Sequence, residues 1–86
     1  LSNNHISNEG TRQLVDTLIH HNRTLKFLSL SMNPLITDSS IKYLMQLLEQ
    51  DGIFKKLWIA NCNLSEQGKA KLQETVNRRK KVLIEM

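Results

Sequence analysis

The sequence has 86 residues and contains only one cysteine, Cys62, one proline and three glycines. A lone cysteine excludes an intramolecular disulfide, and because small extracellular domains usually depend on several, a reducing intracellular compartment is favoured. We expect the cytoplasm, with the nucleus as the alternative. The low glycine and proline contents exclude collagen-like and low-complexity chains, and no apolar run is long enough for a membrane span or a signal-peptide core. The sequence therefore predicts a folded intracellular segment without a membrane partner.

Motifs that carry chemistry are also missing from the sequence. It has no glycine-rich phosphate loop, no paired carboxylates in a plausible pocket and no Ser/His/Asp arrangement. The adjacent pair His20 and His21 lacks the four-residue spacing that would place two metal ligands on one helix face, and Cys62 has no second cysteine or suitably spaced histidine. We therefore expect no enzymatic activity, no metal and no cofactor.

Positive charge is concentrated near the C-terminus. Six of the twelve lysines and arginines lie in the last eighteen positions, and four of them are consecutive: Arg78, Arg79, Lys80 and Lys81. At the C-terminal end of a helix, this basic run would stabilise the helix by interacting with the negative end of its dipole. The alternative is binding to an acidic partner, nucleic acid or an import receptor. Proteins that bind single-stranded nucleic acid usually stack its bases on aromatic side chains, and no aromatic residues accompany this run.

The sequence repeats itself with a period of 29 residues. A fixed period of this length is typical of repeat architectures. Four columns of similar residues keep this register: Leu1, Leu30 and Ile59; Asn4, Asn33 and Cys62; Leu25, Phe54 and Leu83; Leu28, Leu57 and Met86. Two further columns, Gly10 with Gly68 and Leu14 with Leu72, recur at twice the period.

Each period contains a strand pattern followed by a helix pattern. Alternating apolar residues such as Leu28 and Leu30 indicate a short strand with one buried face. The apolar spacing then changes to four residues, which indicates a helix with one buried stripe. We predict helices over 8–20, 38–50 and 66–79, strands over 25–30 and 54–59, and strand fragments at both chain ends. Each helix start carries a residue suited to N-capping: Ser7, Thr37 and Ser65.

The pattern L-x-x-L-x-L-x-x-N/C-x-L, present from Leu25 to Asn33 and from Phe54 to Cys62, resembles the leucine-rich repeat. The 29-residue length and the alternation of Asn33 with Cys62 resemble the ribonuclease-inhibitor-like class in particular. The sequence departs from this pattern where Pro34-Leu35-Ile36 adds one residue and where Ser40 replaces the glycine of the other units.

The resemblance implies an α/β fold, a right-handed βα superhelix with a short parallel sheet on its concave face and helices on its convex face. It implies one segment, 1–86, made of a partial repeat 1–24, repeats 25–53 and 54–82, and the start of a further strand at 83–86. Asn4, Asn33 and Cys62 would form a structural ladder in which each side chain satisfies backbone groups after a strand. The family's usual role implies a scaffold for a protein partner whose identity is unknown.

The alternation of side chains predicts which residues line the concave face. These are Phe27, Ser29, Ser31 and Met32 in one repeat, and Lys56, Trp58, Ala60 and Asn61 in the next. Trp58 should stand beside Ser29, and Phe27 beside Lys56. Because aromatic anchors dominate binding energy at interfaces, we predict a protein-binding patch that includes Trp58, Phe27 and Met32. The alternative is that Trp58 packs on its neighbours in an unused surface.

The two ends of such a segment would leave core residues and strand edges exposed. The chain starts at Leu1 rather than Met, which suggests a fragment of a longer protein. We expect the isolated chain to be marginally stable or to self-associate through these ends. A purely structural role, within a longer horseshoe, remains an alternative to partner binding.

Overall fold

A computed structural model describes residues 5–21, 24–50, 54–79 and 81–86. Helices and strands alternate along the chain: helix α1 (Asn8–His21), strand β1 (Phe27–Ser29), helix α2 (Ile41–Leu48), strand β2 (Lys56–Trp58), helix α3 (Glu66–Arg79) and strand β3 (Leu83–Glu85). A 3₁₀ turn, Asp38–Ser40, leads directly into α2. The predicted first strand fragment, with Leu1 and Asn4, lies outside the described residues.

The three strands form one parallel sheet in the order β1, β2, β3. Helix α1 packs on α2, and α2 packs on α3, so that the helices form a second layer. The core lies between the layers, where Leu28 and Leu57 from the sheet meet Leu44 and Leu72 from the helices. The residues spaced four apart that predicted α2 and α3 form the buried faces of these helices.

The predicted helix starts are confirmed. The Ser7 hydroxyl accepts a hydrogen bond from the backbone N–H of Gly10 at 3.2 Å, and that of Ser65 accepts from Gly68 at 3.0 Å. The hydroxyl of Thr37 accepts from Ser39 in the same way at 3.3 Å. Each of these bonds satisfies a donor that the helix itself leaves unpaired.

The second helix differs from its prediction over 38–50, because its first turn is a 3₁₀ turn and its α-helical portion ends at Leu48. At the start, Ser40 N–H donates to the carbonyl of Thr37 at 2.9 Å, a three-residue hydrogen bond. At the end, Gln50 N–H donates to the carbonyl of Leu47, also three residues back. Both ends are therefore wound more tightly than an α-helix.

The two complete strands are shorter than predicted, three residues each instead of 25–30 and 54–59. The carbonyl of Lys26 accepts from two successive amides, those of Lys55 and Lys56, at 2.7 and 3.1 Å. This doubling breaks the regular alternation of a parallel ladder before Phe27. Beyond the end of β1, Met32 turns the chain in a left-handed conformation with φ 63°.

The register of β3 overturns two columns of the sequence period, those that end in Leu83 and Met86. Between β1 and β2 the offset is 29 residues, since Leu28 pairs with Leu57, but Leu57 pairs with Ile84, an offset of 27. The sequence columns had placed Leu83 and Met86 at core positions equivalent to Leu25 and Leu28. Leu83 is instead exposed, and Met86 packs against the core but two residues beyond Ile84, which takes the position of Leu28. The offset falls by two because the connection 59–65 is one residue shorter than 30–37, and the stretch 66–82 from helix start to strand is one residue shorter than 38–55.

Polar side chains join the start of each helix to the start of the next. Asn8 Oδ1 accepts from the backbone N–H of Thr37 at 3.0 Å and from the hydroxyl of Ser40 at 2.5 Å. Asp38 has the same role in the next unit, where its carboxylate accepts from the backbone N–H and the hydroxyl of Ser65. Glycine at position 68 leaves room for this carboxylate, because a Cβ there would lie 2.7 Å from Asp38 Oδ1 and would force it to shift. Ser40 is accepted at the equivalent place because its hydroxyl bonds to Asn8.

Candidate functional site

The sheet has one face against the helices and one face away from them. The face away from the helices, which we call the open sheet face, carries two rows of side chains across the strands. The first row is Phe27, Lys56 and Leu83, and the second is Ser29, Trp58 and Glu85. The predicted neighbours are confirmed, because Phe27 pairs with Lys56 and Ser29 pairs with Trp58. The two rows bring residues that are far apart in the sequence into one surface.

Apolar side chains are unusually exposed at both ends of the first row. Phe27 is 55% exposed and Leu83 is 63% exposed. Met32, which follows β1, is 49% exposed. Single exposed apolar residues are common on proteins, but here two of them flank one charged side chain in a single row. Such a row offers apolar contact area on both sides of a cation.

Lys56 lies at the centre of the open sheet face and contacts two residues of the second row. Its ammonium nitrogen is 4.7 Å from the ring centroid of Trp58 and 3.8 Å from a carboxylate oxygen of Glu85. The Phe27 and Trp58 ring centroids are 6.2 Å apart with the rings tilted by 53°. The aromatic side chains and the cation therefore form one cluster. A cation at this distance over indole is attracted by the ring.

The remaining predicted concave residues lie beyond the two rows, after the strands end. The Ser31 hydroxyl accepts a hydrogen bond from the backbone N–H of Ala60 at 3.0 Å, so it joins the two loops. Met32 and Asn61 occupy the same position in successive units, and both have left-handed backbones, with φ 63° and 60°. Both side chains are exposed. They extend the surface beyond Trp58. Among the described residues, no hydrogen bond or ion pair joins their side chains to the cluster of Phe27, Lys56 and Trp58.

Two residues of this face, Leu83 and Glu85, were missed by the sequence prediction. The 29-residue column assigned Leu83 to the core, whereas its side chain is exposed and Ile84 is the partly buried residue. A usable signal was present in the local pattern, because the polar Glu85 stands between Ile84 and Met86. Strict alternation would have turned Ile84 and Met86 inward and Leu83 outward.

Asn33 and Cys62 meet at one backbone carbonyl. Asn33 is fully buried, and its amide donates to the carbonyl of Leu30 at 2.8 Å, while its oxygen accepts from the backbone N–H of Ile6 at 3.1 Å. The Cys62 thiol donates to the same Leu30 carbonyl at 3.1 Å. Burial raises the pKa of the Cys62 thiol, and a backbone hydrogen bond from Asn33 offsets some of that rise. A raised pKa lowers the thiolate fraction, so the thiol is a poor nucleophile at neutral pH.

Two residues of the basic run are tied to the neighbouring helix. Arg78 pairs with Glu49 at 3.3 Å and with Glu74 at 3.1 Å. Arg79 donates to the backbone carbonyl of Gln50 at 3.4 Å, just beyond the end of α2. Lys81 is exposed, and Lys80 lies outside the described residues. Two of the four charges therefore act between helices, and these side chains are already engaged before any outside partner arrives.

A surface depression lies on the helix layer in the described part of the chain. This depression of about 330 Å³ beside α2 and α3 is lined by Asp38, Ser39, Ile41, Lys42, Met45 and Lys71. The Asp38 carboxylate in it is already bonded to Ser65. In the ranges 5–21, 24–50, 54–79 and 81–86, no three His, Cys, Asp or Glu side chains are grouped as metal ligands would be. The same ranges contain no helix that is both long and apolar enough to cross a membrane.

The chain matches a family model described as Leucine Rich repeat over residues 21–45. This match covers the end of α1, β1 and the first half of α2, and it supports a leucine-rich-repeat protein. The helices and the short parallel sheet fit the α/β fold of that family. Leucine-rich-repeat domains generally mediate protein–protein interaction and are typically binding scaffolds without enzymatic activity. No curated protein sequence is significantly similar to the chain.

Proposed function

We propose that the chain is a protein-binding scaffold and that its partner binds on the open sheet face. The observation that carries this proposal is the cluster of Phe27, Lys56 and Trp58 on the open sheet face, in which an exposed ring, a half-buried ring and a half-buried cation are held together. Aromatic residues held in place lose little entropy when a partner binds and contribute large contact areas. An interface residue of this kind is the usual energetic centre of a protein complex.

The same proposal includes the finer class of the scaffold. We assign the chain to the ribonuclease-inhibitor-like class of leucine-rich repeats, built as a βα solenoid whose open sheet face is concave. Three observations support this: the 29-residue offset between β1 and β2, the 14-residue α-helices α1 and α3, and the convergence of Asn33 and Cys62 on Leu30. An intracellular setting fits the single cysteine, whose raised pKa protects it from reaction.

Cross-linking from the open sheet face tests the proposal. Phe27 is replaced by a photoreactive benzophenone analogue of phenylalanine, which keeps an aromatic side chain at an exposed position. The control carries the same analogue at Leu35, which is 49% exposed but lies in the loop after β1. We expect a defined protein to be cross-linked from position 27 in cell extract and not from position 35.

Capture of this protein must also depend on the cluster of Phe27, Lys56 and Trp58. We expect Trp58→Ala to reduce its cross-linking from position 27 strongly, because the variant removes the ring that orders Lys56 and Phe27. Equal capture from positions 27 and 35, or capture that persists unchanged in Trp58→Ala, would overturn the proposal. Circular dichroism of each variant separates loss of the surface from loss of the fold.

A further inference from the structure

The first row of the open sheet face has a defined spacing. Neighbouring strands in a sheet lie about 4.8 Å apart, so Phe27 and Leu83, two strands apart, are separated by roughly 10 Å at their backbones. Lys56 lies midway between them. The row therefore presents an apolar contact, a cation and a second apolar contact at equal steps of about 5 Å.

The central cation is available to a carboxylate from outside. The Lys56 side chain is 28% exposed, and its ion-pair partner Glu85, 3.8 Å away, is 61% exposed. An ion pair with one partner open to solvent contributes only about 0 to 1 kcal/mol, so a second carboxylate can share or replace Glu85 at little cost. The chain as a whole carries a net charge of +4, which favours an acidic partner at long range.

We infer that the open sheet face binds an amphipathic α-helix of the partner protein, lying across the three strands. Two apolar side chains of that helix, seven residues apart, contact Phe27 and Leu83, and an acidic side chain between them pairs with Lys56. The inference rests on the proposed function and adds to it the secondary structure and the chemical pattern of the partner. Trp58 in the second row borders the acidic side chain and keeps Lys56 in place.

Helical spacing fits the row better than extended spacing. Seven helical residues span about 10.5 Å, and the residue three or four positions along lies on the same face at about 4.5 to 6 Å. In an extended segment, side chains on one face recur at about 6.7 Å, so one step is too short and two steps are too long for the row. Three consecutive contacts therefore match a helix and miss a strand.

Binding of designed helical peptides tests the inference. The probe is a fluorescein-labelled, side-chain-stapled alanine-rich peptide with leucines at positions i and i+7 and a glutamate at i+4. Stapling is needed because a short isolated helix is marginally stable in water. One control peptide has glutamine in place of the glutamate. A second control has the same composition with the second leucine moved to the opposite helix face. Anisotropy of the label measures affinity, and emission of Trp58, the only tryptophan, reports contact at the site.

We expect the patterned peptide to bind at least about tenfold more tightly than the peptide with the misplaced leucine, since burying one leucine accounts for that factor. Lys56→Met keeps the apolar stem but removes the charge, and it should weaken the glutamate peptide about fivefold and the glutamine peptide hardly at all. Lys55→Met is the matched control. Lys55 is exposed but lies outside the strand, and its substitution should leave both affinities unchanged.

The outcomes separate this inference from the proposed function. Equal binding of the patterned and control peptides, or no peptide binding at all, would overturn the inference that the partner segment is an amphipathic helix. If the protein captured from position 27 still required Trp58 in that case, the proposed function would stand with a partner of another shape. If that capture also failed, both would be overturned.

Discussion

The ammonium nitrogen of Lys56 lies 4.7 Å from the ring centroid of Trp58. The parallel register of β1, β2 and β3 places this pair at the middle of the open sheet face, between Phe27 and Leu83. A cation–π contact at a partly exposed site such as this contributes about 0.5 to 1 kcal/mol, which is enough to restrict both side chains before a partner binds. Restricted side chains lose less entropy on binding, so under the proposed function this pair would lower the entropic cost of association.

The first prediction concerns the register of β3. Leu83 is exposed and Ile84 is partly buried in the core. We expect Leu83→Ala to change the free energy of unfolding by less than about 0.5 kcal/mol, because exposed substitutions have small effects. Ile84→Ala should cost about 2 kcal/mol, because it removes core contacts and leaves a cavity. Urea denaturation of both variants measures the difference. A larger loss for Leu83→Ala than for Ile84→Ala would support the 29-residue register instead.

The second prediction concerns the left-handed turn after β1. Met32 has φ 63°, a conformation that asparagine adopts more easily than methionine, and Asn61 occupies the equivalent position in the next unit. We expect Met32→Asn to raise the free energy of unfolding by about 0.5 to 1 kcal/mol and to weaken partner binding, because it removes an exposed apolar side chain. The reciprocal variant Asn61→Met should lose a similar amount of stability. Thermal melts in which neither variant changes the stability would contradict this. So would melts in which Met32→Asn destabilises the chain and Asn61→Met stabilises it.

The third prediction concerns acid stability. Hydrogen bonds from the hydroxyl and backbone N–H of Ser65 hold the pKa of Asp38 below its ordinary value of 3.8. A lowered pKa in the folded state means that Asp38 stabilises the fold above pH 3.8 and loses this effect as the pH falls through the lower, folded value. Asp38→Asn keeps an acceptor for Ser65, as Asn8 does for Thr37, and should be less stable than the parent near pH 7.

Urea denaturation from pH 7 to pH 2 checks this expectation. The difference between Asp38→Asn and the parent should shrink as the pH falls below 3.8. Glu9→Gln provides a comparison, because hydrogen bonds from Arg12 and Gln13 lower the pKa of Glu9 from 4.5 to about 2. Its difference from the parent should begin to shrink at the higher pH of 4.5. A difference for Asp38→Asn that stays constant across the whole range would show that Asp38 does not titrate with folding.

The fourth prediction concerns the reactivity of Cys62. Burial raises the pKa of its thiol, so the thiolate is scarce at neutral pH. We expect iodoacetamide to alkylate the folded chain several times more slowly than it alkylates free cysteine, and denaturant to remove the difference. Mass spectrometry over time measures both rates. Alkylation of the folded chain as fast as free cysteine would indicate an exposed, activated thiol.

The helices and the register of β1 with β2 could be predicted from sequence because their signals are local or periodic. Capping residues and four-residue apolar spacing mark α1 and α3. The offset between Phe27 and its partner Lys56 equals the 29-residue sequence period, so the period predicts this pair. The register of β3 could not be predicted from the period, because two one-residue shortenings around α3 change the offset without altering the apolar pattern. The ring contact of Lys56 and the link from Asn8 to Thr37 depend on tertiary geometry. Neither leaves a mark in the spacing of residues.

The binding affinity of the partner captured from position 27, measured by isothermal titration with the purified chain, tests the central claim most directly. We expect Trp58→Ala to weaken this affinity about thirtyfold, which corresponds to an anchor residue worth about 2 kcal/mol. Leu35→Ala, which removes a similarly exposed apolar side chain outside the open sheet face, should change it less than about twofold. An affinity within about twofold of the parent for both variants would contradict binding through the aromatic cluster.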